Sequence, residues 1–251
     1  MDRRNFTKGI IGMGAVLFAG SSAVAGVRYL YDLVKKDEAL PAIKLVGVGS
    51  AGCRAVKGLI GRHFNASDCL LISRKRSDME KVECPGMIFL QEIEQVSSCS
   101  SYRDDGLSLM FAQVFQSYEK AIVTSLQDAD LIIIMAGMGW LTGTMAAPLT
   151  AKICRGFNAP VVAVGTAPFA WEGQLPAENA VFGISELRKY AKTVVVHSLE
   201  QLIPARQKTM SIREAYDLGV NLMQQTALSL ADLFHRRDPE SWRRYAMNFK
   251  P

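Results

Sequence analysis

Two stretches of this chain gather small and hydroxylated residues in the pattern that holds phosphate. In Ala136-Gly-Met-Gly-Trp-Leu-Thr-Gly-Thr-Met-Ala-Ala-Pro148, glycines and threonines stand between an apolar run and an Ala-rich segment. A turn of that kind lets backbone N–H groups at a helix start, together with the hydroxyls of Thr142 and Thr144, close around phosphate oxygens. The second stretch, Gly47-Val-Gly-Ser-Ala-Gly52, also follows an apolar run and leads into a segment of helical spacing. Gly47-x-Gly-x-x-Gly52 fits the turn that brings a dinucleotide's pyrophosphate to a helix N-terminus. Metal and thiol chemistry have no comparable support. His63, His197 and His235 lie far apart, and the five cysteines (Cys53, Cys69, Cys84, Cys99 and Cys154) form no Cys-x-x-Cys pair. They read as structural thiols rather than a disulfide framework or a zinc site.

The elements needed to position these turns are legible in the hydrophobic pattern. Ile43–Val48, Cys69–Ile72, Met87–Leu90, Leu131–Met135, Pro160–Val164 and Thr193–Val196 read as strands. Leu131-Ile-Ile-Ile-Met135 has the unbroken apolarity of a strand covered on both faces. Helices are expected over Ala55–Ile60, Leu107–Leu126, Ala146–Cys154, Asn179–Tyr190 and Ile212–Phe234, the last with Ala215, Leu218, Leu222, Thr226 and Leu230 on or near one face. The alternation predicts an α/β fold, an open and mostly parallel Rossmann-like sheet in three layers that binds ligands at the carboxyl ends of its strands.

A chain of 251 residues, 49% hydrophobic with a net charge of +5, is long enough for one sizeable core and excludes disordered and fibrous classes. Its Lys and Arg residues are scattered rather than gathered in a stripe, so no nucleic-acid partner is expected. Residues 1–38 differ from the rest. Gly9 to Val27 is uncharged and flanked by Arg3, Arg4 and Lys8 on one side and Arg28, Lys35 and Lys36 on the other. The stretch suits an apolar helix, either an uncleaved membrane anchor or, with Arg3-Arg4-Asn5-Phe6 and Ala23-Val24-Ala25, a twin-arginine-like export signal. The charges balance, so the side on which the body lies, cytoplasmic face or exported, stays open. The division read here is 1–38 anchor or signal plus linker, 39–235 nucleotide-binding domain, and 236–251 a basic and aromatic tail.

From about Ile43 to Phe234 the ordered motifs resemble the tubulin/FtsZ family. The signature loop of that family reads Gly-Gly-Gly-Thr-Gly-Thr-Gly; here Gly139, Thr142, Gly143 and Thr144 match, while Trp140, Leu141 and Met145 replace glycines and should narrow the phosphate space or restrict backbone angles. The first loop matches through Gly47, Gly49 and Gly52, with Ser50 and Ala51 at nucleotide-binding positions where the family has glycine and Arg54 in place of an asparagine. Pro168-Phe-Ala-Trp-Glu-Gly173 is similar to the segment whose glutamate, here Glu172, binds ribose, although Pro176 replaces the arginine that follows. The resemblance places Tyr216 as the ring stacking on guanine and Asn221 where an aspartate reads the base edge. Ser73-Arg74-Lys75 replaces Asn-Thr-Asp, a reversal of charge, and Leu199 replaces an asparagine. The cluster Arg74-Lys75-Arg76 by itself reads as a solvated loop, the alternative being a partner for phosphates or anionic lipid.

The resemblance implies GTP or GDP as ligand, Mg²⁺ only in its company, and as partners a membrane and either the chain itself or an FtsZ-like protein. No polar group suited to orienting an attacking water is apparent. The expectation is a membrane-associated FtsZ-like protein with weak or residual guanine-nucleotide binding and no hydrolysis alone, a scaffold or regulator in membrane remodelling, division or envelope organisation. The alternatives are a pseudo-GTPase scaffold, exported or membrane-bound, that binds no nucleotide, and an NADP-binding Rossmann oxidoreductase.

Overall fold

The computed structural model describes residues 16–17, 41–93, 101–103, 105–202 and 210–236. Its elements in chain order are β1 (Val16–Leu17), β2 (Ile43–Val48), α1 (Gly49–Lys57), β3 (Cys69–Ser73), β4 (Gly86–Phe89), α2 (Asp105–Gln116), α3 (Glu119–Leu126), β5 (Leu131–Gly137), α4 (Leu141–Cys154), β6 (Val161–Ala167), α5 (Gln174–Tyr190), β7 (Thr193–Ser198), α6 (Leu199–Leu202) and α7 (Ile212–Arg236). The sheet order is β1-β7-β6-β5-β2-β3-β4, with β2 to β7 all parallel.

Burial explains the order. Every residue of β5 from Leu131 to Ala136 is buried, because β5 lies mid-sheet between β2 and β6 with helices on both faces. Each isoleucine so buried contributes roughly 1.5–3 kcal/mol of hydrophobic stabilisation. One face is filled by Phe111 and Phe115 of α2, Ile122 of α3, Ala146 of α4 and Leu187 of α5. The other is covered by Val56 of α1 and by Met223, Ala227 and Leu230 of α7. Helices α1 and α4 therefore lie on opposite faces and start at the same edge of the sheet. Between β2 and β5 the chain order reverses direction across the sheet, the switch point at which such folds form a crevice.

Three expectations change. The helix expected over 107–126 is broken: Ser117 and Tyr118 turn the chain, and the Tyr118 hydroxyl donates to the Phe89 carbonyl at 3.1 Å and to the Glu92 carboxylate. α4 begins at Leu141 rather than Ala146, so the threonine and glycine loop is the first turn of the helix. In place of the expected apolar helix, the only described residues of the N-terminal stretch, Val16 and Leu17, pair antiparallel with β7 opposite His197 and Val196. The rest of residues 1–40, residues 94–100, 104 and 203–209, and the 237–251 tail lie outside the described residues. Among the described residues, no helix is long and apolar enough to cross a membrane.

Candidate functional site

A cavity of about 420 Å³ opens where β2, β5 and β6 end, within the range of small-molecule sites. α1 and α4 both begin at its wall. Their N-cap residues, Val48 and Trp140, provide no side-chain hydrogen bond, so the first-turn N–H groups of two helices are left to whatever occupies the cavity. Gly49 (φ +69°) makes the junction: a Cβ there would stand 3.3 Å from the Gly143 nitrogen, so the two loops touch.

The cavity brings together ten of the fifteen residues expected from the sequence. Gly49, Ser50, Ala51 and Arg54 line it from α1, Trp140, Leu141, Thr142 and Gly143 from α4, and Glu172 and Tyr216 from the far side. Five do not line it. Gly47 and Gly52 are packing residues. A Cβ on Gly47 would lie 2.7 Å from the Gly52 oxygen, and one on Gly52 would lie 2.0 Å from the Met135 oxygen. Gly139 takes φ +106° to make the turn, and its N–H donates to Thr144 Oγ1 at 2.8 Å, which commits that buried hydroxyl to the loop.

Asn221 is exposed, and the cavity is lined by Val220. Helical phase explains this: Tyr216 and Val220 are four apart and share a face, while Asn221 is five on and turns away.

The bulky replacements in the signature loop do not strain it. Leu141 and Met145 are helical and sink into the core, Met145 without touching the cavity, and Trp140 is extended (φ −107°, ψ 155°). Trp140 instead closes across the opening, its indole Nε1 donating to Glu172 Oε2 at 2.6 Å, while Glu172 Oε1 accepts the Phe169 N–H at 2.9 Å. Both oxygens of the only carboxylate among the described lining residues are thus engaged. Phe169 is the buried aromatic; Trp171 stacks on it at 3.9 Å and is half exposed rather than core, and Tyr216 meets it edge-on at 5.6 Å. Burial and the neighbouring Glu172 carboxylate push the Tyr216 phenol up to about 12, so it stays protonated. Arg54 pairs with Asp217 of α7.

Residues outside the expected set also line the cavity: Arg74 and Lys75 beyond β3, Thr166 near the end of β6, Pro168 just beyond it, and Leu199. The charge reversal at 74–75 was the signal for the first two. Asp78, whose carboxylate accepts the hydroxyls of Ser50 (2.8 Å) and Ser73 (2.6 Å), sits in no motif.

The model of the tubulin/FtsZ family GTPase domain matches residues 42–206, well over half of the chain. The chain belongs to the tubulin/FtsZ family. It is 29% identical over 196 residues to the cell division protein FtsZ of Buchnera aphidicola subsp. Baizongia pistaciae, covering 76% of this chain and 49% of that protein. It is 29% identical over 203 residues to FtsZ 1 of Pyrococcus furiosus, covering 80% and 53%. The chain therefore spans about half the length of these relatives. Among solved structures, the empty FtsZ dimer of M. jannaschii superposes with a TM-score of 0.67 at 22% identity, over 83% of this chain and 59% of that one. The GDP-bound CetZ1 monomer of Haloferax volcanii gives 0.59 at 18%, over 77% and 60%. These two likenesses establish the shared fold. Family membership removes the oxidoreductase alternative.

Proposed function

We propose that this tubulin/FtsZ-family chain is a membrane-associated, FtsZ-like protein whose cavity holds a guanine nucleotide weakly and does not hydrolyse it alone. Its role would be that of a scaffold or regulator in membrane remodelling, division or envelope organisation, with itself or an FtsZ-like protein as partner. The observation that carries the nucleotide reading is the convergence of two uncapped helix N-termini on one cavity at the switch point of the sheet.

The residues fit phosphate. Gly49 leaves room where a Cβ would crowd the opposite loop, and the first-turn N–H groups together with the Thr142 hydroxyl would hold phosphate oxygens. A bound nucleotide would supply a phosphoanhydride whose state could be read by the surrounding loops. Among the described residues no cluster of His, Cys, Asp and Glu could cage a metal ion.

Weak binding follows from the sugar and base end. Glu172 already accepts from Trp140 and Phe169, so a ribose hydroxyl would share its oxygens with two existing donors. The base end is walled by Leu199 and Val220 and lacks the Asn221 amide. Slow or absent turnover follows from the chemistry of phosphoryl transfer, which needs a group to orient water; the one carboxylate among the described lining residues already accepts from Trp140 and Phe169. Membrane association rests on the uncharged stretch Gly9 to Val27. The Trp140–Glu172 contact also favours a second reading, a scaffold of the same fold that binds no nucleotide.

Calorimetric titration of GTP and GDP into the full chain in mild detergent separates the two. Micromolar binding weakened by Thr142→Ala supports a nucleotide site, and silence at millimolar ligand leaves the scaffold.

A further inference from the structure

Resting on that phosphate reading of the cavity, we infer that Arg74 and Lys75 are its phosphate-binding cations and that they stand in for a divalent metal, so the chain binds polyphosphate ligands metal-free. Register carries the first step. Val48 pairs with Ile72, which sets Ser73 beside Gly49 and sends the next two residues past the start of α1. The loop is held there. Asp78 Oδ2 accepts both Ser50 Oγ and Ser73 Oγ, and Ser73 Oγ accepts the Lys75 N–H at 3.1 Å. Arg76 departs in another direction, its guanidinium 4.1 Å from the centre of the Phe89 ring. Of three consecutive basic residues, only Arg74 and Lys75 line the cavity.

Charge decides the second step. Among the described residues the lining carries three cations, Arg54, Arg74 and Lys75, and one carboxylate, Glu172. Arg54 is paired with Asp217, and Glu172 is bound by Trp140 and Phe169. Asp78 is directed at the two serines and does not line the cavity. A guanidinium and an ammonium beside two helix N-termini neutralise phosphate oxygens directly. A divalent cation on the same oxygens would cancel two of the negative charges they bind and be repelled by both side chains.

The test titrates GTP, GDP and base-free tripolyphosphate into the full chain, first with EDTA and then with excess Mg²⁺. The expected result is binding in EDTA that Mg²⁺ weakens by about tenfold or more, with Arg74→Gln and Lys75→Gln each costing about tenfold. Arg76→Gln should leave affinity unchanged and controls for loop damage. Arg74→Thr with Lys75→Asp should reverse the preference, making whatever binding remains depend on Mg²⁺. Binding that requires Mg²⁺ in the parent chain overturns this inference and leaves the proposed nucleotide site standing, as does metal-free binding indifferent to both substitutions. No binding under either condition defeats the phosphate reading itself.

Discussion

Gly143 tests whether the signature loop keeps its glycine for a ligand or for the fold. A Cβ at this position would lie 2.0 Å from the Gly137 oxygen and 3.0 Å from its carbonyl carbon. Both partners are backbone, so no rotamer relieves the overlap, and the first turn of α4 would have to retreat from the end of β5 by about 1 Å or more to regain a normal contact. Overpacking of this kind costs roughly 1–3 kcal/mol, and the rigid surroundings place it at about 3. Gly143 lies inside α4, where alanine recovers about 1 kcal/mol of helix propensity. The net expectation for Gly143→Ala is a loss of about 2 kcal/mol, or roughly 4–8 °C in Tm for a chain of this size. Gly156→Ala is the control: its Cβ would find only the Ile153 oxygen at 3.7 Å and its φ is not left-handed, so stability should hold or rise by about 0.4–1 kcal/mol. The assay is thermal unfolding of the full chain without nucleotide, followed by circular dichroism. If glycine were kept only for phosphate approach, the ligand-free Gly143→Ala protein would gain from helix propensity. A Tm at or above that of the parent would therefore refute the packing argument by its sign.

Other outcomes follow from the same geometry. Burial holds His197, whose Nε2 is 2.8 Å from Thr226 Oγ1, down to about 4, whereas an unfolded imidazole takes its proton near 6.5. The unfolded chain binds that proton first, so stability present above about pH 6.5 should fall by roughly 3 kcal/mol toward pH 4; urea midpoints for His197→Gln should be flatter over that window, and equal slopes would exclude His197 as the cause. A double-mutant cycle of Trp140→Phe and Glu172→Ala should give a coupling of about 1 kcal/mol, modest because the indole is partly exposed, and zero coupling would mean that solvent screens the contact entirely. Burial raises the thiols of Cys53, Cys69, Cys84 and Cys154, Cys69 and Cys154 to about 12. Alkylation at pH 8 should reach these four no faster than the chain unfolds, and prompt labelling of the native protein, seen by peptide mass spectrometry, would contradict their burial.

The sheet was legible because its strands are doubly covered and so almost wholly apolar: Leu131–Met135 and Thr193–Val196 each lie inside an observed strand. Helix boundaries were less so. Nothing in the periodicity of 107–126 reveals that Tyr118 reaches across to Phe89 and Glu92, a tertiary contact that breaks the helix. The loops of the site were found through their glycines, yet what each glycine does was not visible. Gly49 faces the opposite loop at the cavity, whereas Gly52 faces the Met135 carbonyl and Gly143 the Gly137 carbonyl, a distinction that depends on where β5 passes. Asn221 was placed by motif alignment, and the helical phase that turns it outward could have been read from Tyr216 by counting four rather than five. Arg74 and Lys75 were noticed as a charge reversal, but they line the cavity because of the β2–β3 register and the Ser50–Asp78–Ser73 contact, neither of which is written in local sequence.

The contacts that preserve the cradle are separable from those that would act on a ligand. Gly52 and Gly143 seat α1 and α4 against the carbonyls of β5, and Gly183 lets α5 approach α4, where its Cβ would meet Thr144 Cγ2 at 2.6 Å. A side chain at any of the three collides with the fold whether or not the cavity is used. The departures from the family pattern fall elsewhere: Leu141 and Met145 in the core, Pro176 in the first turn of α5, Trp140 across the opening, Arg74 and Lys75 at the rim. Packing alone is therefore sufficient to retain two helix N-termini at one cavity while the groups around it change from acidic to basic. Retention of the threonine and glycine loop consequently cannot by itself argue for turnover. What the cavity does with phosphate has to be decided by the side chains at its rim, and the rim of this chain is cationic.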